Sequence, residues 1–254
     1  MTAPLLAVER LTKRFGRVTA LGAIDLRVAE RAIHGVIGPN GAGKTTLFNV
    51  LTGLVAPDAG RVTLDGTDLT RLPPFRRTAL GVCRTFQNIR LFGSMTVLEN
   101  VMLGRHCRTR GGVLAPLLAR PWGATERSAT RRDAEATLDF VGLAGRAHHR
   151  ALDLPYGDQR RTEIARALAT EPRLLLLDEP AAGMNETETG EIADLIRRVH
   201  ARGVTILLIE HKMSLVMGLC ERISVLSFGE KIAEGEPAAI RADARVIEAY
   251  LGAG

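Results

Sequence analysis

Hydrophobic and polar positions alternate in the first part of the chain, which is typical of strands with one buried face. The alternating stretches Leu6–Leu11 and Val18–Val28 predict antiparallel strands. The short apolar run Ala32–Ile37 predicts a buried strand that leads into a glycine-rich loop. After this loop, the helical spacing of apolar residues predicts a helix over 44–54. A turn and one more strand are predicted over 57–66.

A second set of apolar runs lies in the last third of the chain. Leu174–Leu177 and Val204–Ile209 have the length of buried strands. The other elements predicted there are helices over 161–169 and 186–201, a hairpin over 222–234 with Gly229 at its turn, and a terminal helix over 242–251. Strands that alternate with helices indicate a mainly parallel sheet.

The segment from about residue 88 to 160 differs in character from the chain on either side. Gly111, Gly112, Pro116 and Pro121 fall in one loop-like stretch. The following residues, 124–141, are rich in alanine, glutamate and arginine and predict a long helix. We therefore expect a mostly helical subdomain inserted into an α/β core.

The composition is that of a globular protein. Of 254 residues, 46% are hydrophobic and 24% charged, which excludes disorder for the bulk of the chain. The three cysteines, Cys83, Cys107 and Cys220, show neither metal-ligand spacing nor a disulfide framework, which favours a reducing compartment. No secretory signal and no apolar window long enough to span a bilayer are present. We expect a cytoplasmic protein that meets the membrane through another subunit.

Positive charge is concentrated in the middle of the chain. The net charge is +6, and residues 71–132 contain twelve arginines and two acidic residues. Three explanations stay open: a solvated arginine-rich face, docking on a membrane-embedded permease beside anionic lipids, or nucleic-acid binding. Few aromatic residues interleave with the arginines, so stacking of bases is not expected and we do not expect nucleic acid as a partner.

The strongest motif predicts a nucleoside triphosphate site. It matches G-x-x-x-x-G-K-[ST] between a predicted strand and a predicted helix. Its glycines allow successive backbone N–H groups to point inward at phosphates, and the helix adds its positive end. We expect Lys44 to reach the β- and γ-phosphates, Thr45 to bind Mg²⁺ and Thr46 to add a phosphate contact. The residues expected to bind nucleotide here are Gly38, Pro39, Asn40, Gly41, Ala42, Gly43, Lys44, Thr45 and Thr46.

A second motif places two carboxylates directly after a buried strand. Leu174–Leu177 runs into Asp178, Glu179 and Pro180. The carboxyl ends of strands in open α/β sheets are where ligands bind. Asp178 is suited to the Mg²⁺ shell, through a water molecule, and Glu179 to polarising the attacking water as a general base.

The segment between these motifs is the most specific. Residues 154–161 read Leu-Pro-Tyr-Gly-Asp-Gln-Arg-Arg and precede a predicted helix over 162–169. They resemble the signature motif of ABC-type ATPases, which usually reads Leu-Ser-Gly-Gly-Gln. Pro155, Tyr156 and Asp158 stand where Ser, Gly and Gln are usual. The resemblance covers nearly the whole chain, because the other motifs occur in the family's order.

The resemblance implies roles for further residues. ATP would lie between two ATPase subunits, and Tyr156, Gly157 and Asp158 would contact the γ-phosphate of the partner's nucleotide. Phe15 would stack on adenine. Catalysis would fall to Glu179, His211, Lys44 and Gln87, with His211 on the γ-phosphate and Gln87 sensing Mg²⁺ and water. The implied Mg²⁺ residues are Thr45, Gln87 and Asp178.

A narrower resemblance is to one branch of the family. The residues that show this resemblance are 84–92, 95–100, 180–183, 209–213 and 247–252, together with the Tyr156-Gly157 form of the signature. This branch is the ATP-binding subunit of branched-chain amino acid ABC importers. Lys212 stands where Asp is common in the branch.

The resemblance implies an α/β fold: a P-loop, RecA-like ATPase core with an N-terminal antiparallel β subdomain and an inserted helical subdomain. We expect one domain over 1–254, with core and β subdomain at about 1–87 and 161–254 and the helical subdomain at about 88–160. Expected ligands are ATP and Mg²⁺. Expected partners are integral membrane permease subunits, a second ATPase subunit and, indirectly, an external substrate-binding protein, at the inner face of the cell membrane.

Three alternatives stay open on the sequence alone. The first is the ATPase of a lipid or lipopolysaccharide exporter, which would differ in its membrane partner. The second is a non-transport ABC ATPase acting on ribosomes or nucleic acid. That class usually carries two cassettes or a long coiled coil, and this sequence shows neither. The third is a regulatory subunit that binds ATP without turning it over.

Overall fold

The computed structural model describes residues 4–108 and 122–251 of the chain. These residues form two β-sheets with helices between and around them. The strands are β1 (Leu6–Phe15), β2 (Val18–Val28), β3 (Ile33–Ile37), β4 (Ala59–Leu64), β5 (Thr67–Asp68), β6 (Val82–Arg84), β7 (Leu174–Asp178), β8 (Thr205–Ile209), β9 (Arg222–Ser227) and β10 (Glu230–Gly235). The helices are α1 (Lys44–Leu51), α2 (Pro74–Ala79), α3 (Val97–Arg105), α4 (Trp122–Val141), α5 (Tyr156–Leu168), α6 (Glu186–Ala201), α7 (Met213–Leu219), α8 (Pro237–Ala242) and α9 (Ala244–Leu251).

The larger sheet has the strand order β10-β9-β3-β8-β7-β6. Its neighbouring strands run parallel except for β10, which is antiparallel to β9. The smaller sheet has the order β2-β1-β4-β5 and is antiparallel throughout. Both sheets confirm the fold that the alternating and continuous apolar patterns predict.

The β7 strand shows why its sequence is a continuous apolar run. Leu174 and Leu176 face the core that contains α1 and the antiparallel sheet. Leu175 and Leu177 face the opposite core, which contains α5, α6 and α3. A parallel strand with helices on both faces buries every side chain, so alternation disappears from its sequence.

The segment expected to be a helical subdomain contains α3, α4 and the start of α5 within the described residues. The predicted helix over 124–141 is confirmed as α4. The expected boundary at residue 160 falls inside α5, which packs on both α3 and α4. The predicted loop containing Gly111, Gly112, Pro116 and Pro121 lies outside the described residues.

Three predicted helix boundaries are wrong. The helix after the glycine-rich loop stops at Leu51, because Gly53 takes a positive φ of 77° soon afterwards. The helix expected over 162–169 begins at Tyr156, so the signature residues form its first turn. The terminal helix expected over 242–251 begins at Ala244 as α9, because Asp243 has extended backbone angles. The short helix before it, α8, was not predicted, although it begins at Pro237, a favoured first helical residue. Within the described residues, no helix has the length and apolar character needed to cross a bilayer.

Candidate nucleotide-binding site

A cleft of about 410 Å³ opens beside the start of α1, where the glycine-rich loop joins β3 to the helix. The residues that line it are Val18, Thr19, Ala20, Asn40, Gly41, Ala42, Gly43, Lys44, Thr45, Thr46, Gln87, Glu179, His211 and Phe228. Most of the motif residues predicted to meet at one site therefore do so. Gly38, Pro39 and Asp178 are not among the residues that line it.

Two glycines of the loop have no space for a side chain. Gly38 has a φ of 147°, and a Cβ placed there would lie 2.0 Å from the carbonyl oxygen of Leu226. Gly43 has a φ of 101°, and its Cβ would lie 2.4 Å from the carbonyl oxygen of Ala20. Both positions combine left-handed backbone with close approach of a neighbouring strand. Both the lack of space and the backbone conformation therefore exclude a side chain at these two glycines.

Lys44 is the first residue of α1 and is buried. Its Nζ donates to the carbonyl oxygens of Gly38 at 2.6 Å and Pro39 at 2.9 Å, so the side chain folds back along its own loop. Burial lowers the pKa of Lys44 below its usual value, while the nearby carboxylates of Glu179 and Asp178 act in the opposite direction. An anion in the cleft would supply the charge partner that this ammonium lacks in the loop.

Glu179 is held from both sides at the edge of the cleft. Gln87 Nε2 donates to Glu179 Oε2 at 3.0 Å, and His211 Nε2 lies 3.0 Å from Glu179 Oε1. The three side chains come from three separate loops, after β6, β7 and β8. Glu179 itself has a φ of 48°, a conformation that costs free energy for a residue with a side chain and is found at functional sites.

Asp178 ends β7 and is buried. Its Oδ2 accepts a hydrogen bond from Arg84 Nη2 at 2.5 Å, and Arg84 Nη1 donates to Asn49 Oδ1 at 2.7 Å. The guanidinium also lies over the rings of Phe48 and Phe86, at 5.4 and 5.0 Å from their centroids. Arg84 thereby joins β6, β7 and α1 around the aspartate, a contact that the sequence did not reveal.

The signature residues lie apart from this cleft. Tyr156, Gly157 and Asp158 form the first turn of α5, and none of them lines the cleft of their own chain. The nearest atom to a Cβ placed on Gly157 is Glu188 Oε1, at 3.8 Å, so the start of α5 is open there. Pro155 precedes the helix with extended backbone angles and accepts a bond from the Gln159 N–H at 3.0 Å.

Phe15 does not line the cleft either. It ends β1 and pairs with Val18, which does line the cleft, so it lies at the rim. The ring is about half exposed, with Lys13 Nζ 5.3 Å from its centroid. A second aromatic ring, Phe228, lines the cleft from the turn between β9 and β10 and is 90% exposed. Sequence reasoning missed Phe228, since a single aromatic residue in a predicted turn carries no pattern.

Two residues beside His211 were also missed or left without a role. Glu210 is buried, and its carboxylate accepts the backbone N–H groups of Ala181, His211 and Lys212 at 2.8–3.1 Å. Lys212 Nζ donates to the carbonyl oxygen of Met184 at 2.6 Å and to Thr189 Oγ1 at 2.7 Å. These contacts fix the loop that carries His211 to the segment that follows Glu179.

Comparison with protein families gives two matches. Residues 21–182 match the ABC transporter family, and residues 230–254 match a family described as branched-chain amino acid ATP-binding cassette transporter. The chain is 46% identical over 253 residues to LivG of Salmonella typhimurium, described as a high-affinity branched-chain amino acid transport ATP-binding protein. It is 45% identical over 254 residues to BraF of Pseudomonas aeruginosa, which has the same description. Each comparison covers 99% of both chains.

Solved structures show the same architecture. The ADP conformation of MJ1267, an ATP-binding cassette of an ABC transporter, superimposes with a TM-score of 0.86 at 34% identity and covers 99% of this chain and 100% of that one. A dimeric post-hydrolysis state of the cassette MJ0796, bound to ADP and Pi, gives a TM-score of 0.77 at 26% identity. It covers 91% of this chain and 98% of that one.

Proposed function

The chain belongs to the ABC transporter family, and on that premise we propose that it is the ATP-hydrolysing subunit of an importer for branched-chain or other hydrophobic amino acids. One observation supports the proposal of ATP hydrolysis. The Glu179 carboxylate is held between Gln87 and His211 at the edge of a cleft formed by the phosphate loop. A carboxylate in this position can accept a proton from water next to the terminal phosphate.

The other residues of the cleft bind and orient the nucleotide. Backbone N–H groups over Asn40–Thr46 and the N-terminus of α1 surround the phosphates, and Lys44 offsets their charge. His211 donates toward the γ-phosphate while its loop is held by Glu210. Phe15 stacks on the adenine at the rim. Catalysis of phosphoryl transfer then depends mostly on positioning and charge stabilisation.

The residues present fit Mg²⁺. Within the described parts of the chain, no three His, Cys, Asp or Glu side chains cluster as a metal site. Thr45, Asp178 and Gln87 instead offer hydroxyl, carboxylate and amide oxygens, and Mg²⁺ at nucleotide sites takes one or two protein oxygens together with phosphate oxygens. Held by these residues, Mg²⁺ would supply positive charge that offsets the charge of the phosphates. Arg84 holds Asp178 in place for this role.

The transport part rests on the relatives. LivG and BraF, described as branched-chain amino acid transport ATP-binding proteins, match the chain over almost its whole length, and the match over residues 230–254 concerns the same class. We infer that the chain works with integral membrane permease subunits and a second ATPase subunit at the inner face of the membrane. An external binding protein would deliver the amino acid. These matches favour amino acid import over the lipid exporter and the non-transport ATPase.

Substitution of Glu179 by Gln tests the proposal. The amide keeps the contact with Gln87 or His211 but cannot take a proton, so the variant should bind ATP as tightly as wild type and lose at least about 100-fold of its turnover. Binding is measured with a fluorescent ATP analogue, turnover by phosphate release, and transport by ATP-dependent leucine uptake into membrane vesicles. Unchanged turnover in Glu179→Gln contradicts the role of Glu179. If leucine uptake persists when turnover is lost, this chain does not power leucine transport, and the proposed substrate class is contradicted.

A further inference from the structure

The loop that carries Gln87 has no ladder partner for its backbone at Phe86. β6 ends at Arg84, and Thr85 still bonds the neighbouring strand through the Leu176 carbonyl oxygen, at 2.9 Å. At Phe86, two side chains of α5 take over. The Phe86 N–H donates to Glu163 Oε1 at 3.2 Å, and the Phe86 carbonyl oxygen accepts from Arg160 Nη1 at 2.6 Å. Side chains of the signature helix thus replace the sheet at this point.

Arg160 contacts four groups at once. Nη1 also bonds Glu163 Oε2 at 2.6 Å, and Nη2 donates to the carbonyl oxygen of Gln87 at 2.7 Å. Nη2 lies 3.2 Å from the Tyr156 hydroxyl, one turn back along α5 in the signature segment. A single planar guanidinium therefore touches the Gln87 backbone and the signature residue Tyr156.

The ion pair between Arg160 and Glu163 is fully buried. Arg160 and Glu163 have 0% and 2% of their surfaces exposed. Burial raises the pKa of Glu163, and Arg160 acts in the opposite direction. A buried ion pair is a weak means of stabilising a fold, since apolar residues of similar volume often serve as well. The fixed donor geometry of the guanidinium gives the pair a further use, which is to set the position of the loop backbone.

Resting on the proposed function, we propose that Arg160, held by Glu163, is a positioning residue that keeps the Gln87 side chain on the Glu179 carboxylate and links this contact to the signature segment. The path runs from Tyr156 through Arg160 to the Gln87 backbone, and from the Gln87 amide to Glu179 at 3.0 Å. A displacement of α5 on binding a partner's nucleotide therefore moves Gln87 relative to the carboxylate of its own site.

The test compares Arg160→Lys with Arg77→Lys. Both arginines are buried, and Arg77 also donates to backbone carbonyls, of Val50, Leu51, Thr70 and Leu72, away from the cleft. Lysine keeps the charge but cannot bond two carbonyls in the guanidinium geometry. We expect Arg160→Lys to lower kcat about tenfold or more with KM for ATP changed less than about twofold. Arg77→Lys should lower the melting temperature and leave both constants unchanged.

A double-mutant cycle with Gln87→Ala identifies the route. If Arg160 acts through Gln87, Arg160→Lys lowers kcat in wild type but has little effect in the Gln87→Ala background. Additive losses overturn the proposal, and so does a loss of kcat in Arg160→Lys no larger than that in Arg77→Lys.

Hydrogen exchange of the nucleotide-free chain gives a readout independent of turnover. The Phe86 amide should exchange at least about tenfold faster in Arg160→Lys than in wild type, because the lysine ammonium cannot reproduce the guanidinium geometry that orients the Glu163 carboxylate toward the Phe86 N–H. Unchanged exchange at Phe86 overturns the proposed positioning. Absence of ATP turnover in wild type, with protected exchange at Phe86, contradicts the proposed function and leaves the positioning contact standing.

Discussion

His34 is a titratable residue in the middle of the parallel sheet. It is buried in β3, and its Nε2 lies 2.9 Å from Ser224 Oγ on β9. Burial lowers the pKa of His34 to about 4, with Arg222 and Lys231 adding to the effect and Glu234 opposing it. Because the folded state holds this histidine neutral, the unfolded chain binds the extra proton between pH 6.5 and 4.

The effect of His34 on the free energy of unfolding is therefore absent above pH 6.5. Below pH 6.5, protonation of His34 in the unfolded chain lowers the free energy of unfolding progressively toward pH 4. We expect the free energy of unfolding to fall by about 3 kcal/mol more in wild type than in His34→Gln over this range. Urea unfolding followed by circular dichroism at several pH values measures it. His148→Gln, at an exposed position, is the control and should follow wild type. Parallel pH profiles for wild type and His34→Gln would contradict the prediction.

Residue types at the site could be predicted, whereas their contacts could not. Lys44, Glu179 and His211 carry motif spacing, and the structure brings them to one cleft. Arg160 stood within the motif that was read, yet its role depends on the Phe86 and Gln87 carbonyl oxygens, more than 70 positions away in the chain. Long-range side chain to backbone bonds leave no periodic pattern in the sequence, because their partners are groups that every residue has.

At the scale of helices and strands, the length of an element decides whether the hydrophobic pattern of the sequence predicts it. The long apolar runs of β7 and β8 and the helices α4 and α6 could be read directly. The elements α2, β6 and α7 have three to seven residues and went unpredicted, since each holds less than two periods of its own helical or strand pattern. The start of α5 was misplaced because the helix was predicted to begin after the motif, although Pro155 suits the position before a helix.

The connection between the His211 loop and α6 depends on Lys212. Its two bonds, to the Met184 carbonyl and the Thr189 hydroxyl, span from the start of α7 to the start of α6. We expect Lys212→Met to lower the free energy of unfolding by about 2 kcal/mol, because it removes two bonds to a charged donor. Turnover should fall as well, since His211 is the adjacent residue. Thr189→Val, which removes one of the two partners, should show roughly half of the loss in stability.

Lys231→Met is the matched control. Lys231 Nζ bonds Glu234 at 2.6 Å on β10, outside the cleft lining. This variant should change stability by less than about 1 kcal/mol, as expected for a partly exposed ion pair, and should keep wild-type turnover. Chemical unfolding and phosphate release measure both quantities. If Lys212→Met keeps the turnover and stability of wild type, Lys212 does not hold the His211 loop.

At the scale of the whole molecule, four of the twelve arginines in 71–132 are buried or ion-paired in the part of the chain that the structure describes. Arg77 and Arg84 are buried in the structure. Arg105 pairs with Asp133 and Glu171, and Arg131 pairs with Glu135. These arginines serve the fold, which weakens the case for nucleic-acid binding. Charge summed along a sequence window overstates surface charge whenever the fold uses the cations internally.

The separation of the signature residues from the cleft predicts that two copies of the chain assemble around ATP. On the proposed function, both the cleft and the open first turn of α5 bind phosphate, yet the signature residues do not line the cleft of their own chain. Two chains arranged head to tail about a twofold axis would close each cleft with the partner's signature turn, where N–H groups of Gly157 and Asp158 meet the γ-phosphate. Because each ATP then contacts both chains, ATP should stabilise a dimer that ADP does not.

The dimer is best trapped in the Glu179→Gln background, where ATP persists. Size-exclusion chromatography with light scattering should show a doubled mass with ATP and a monomer with ADP. Adding Gly157→Glu places a carboxylate against the phosphate site, so the dimer should be lost while the ATP affinity of the monomer stays within about threefold of its parent. The control is Gly145→Glu, at an exposed position where a Cβ meets no described atom within 4 Å. It should dimerise like its parent. Dimers that persist in Gly157→Glu would place the signature turn outside the nucleotide interface.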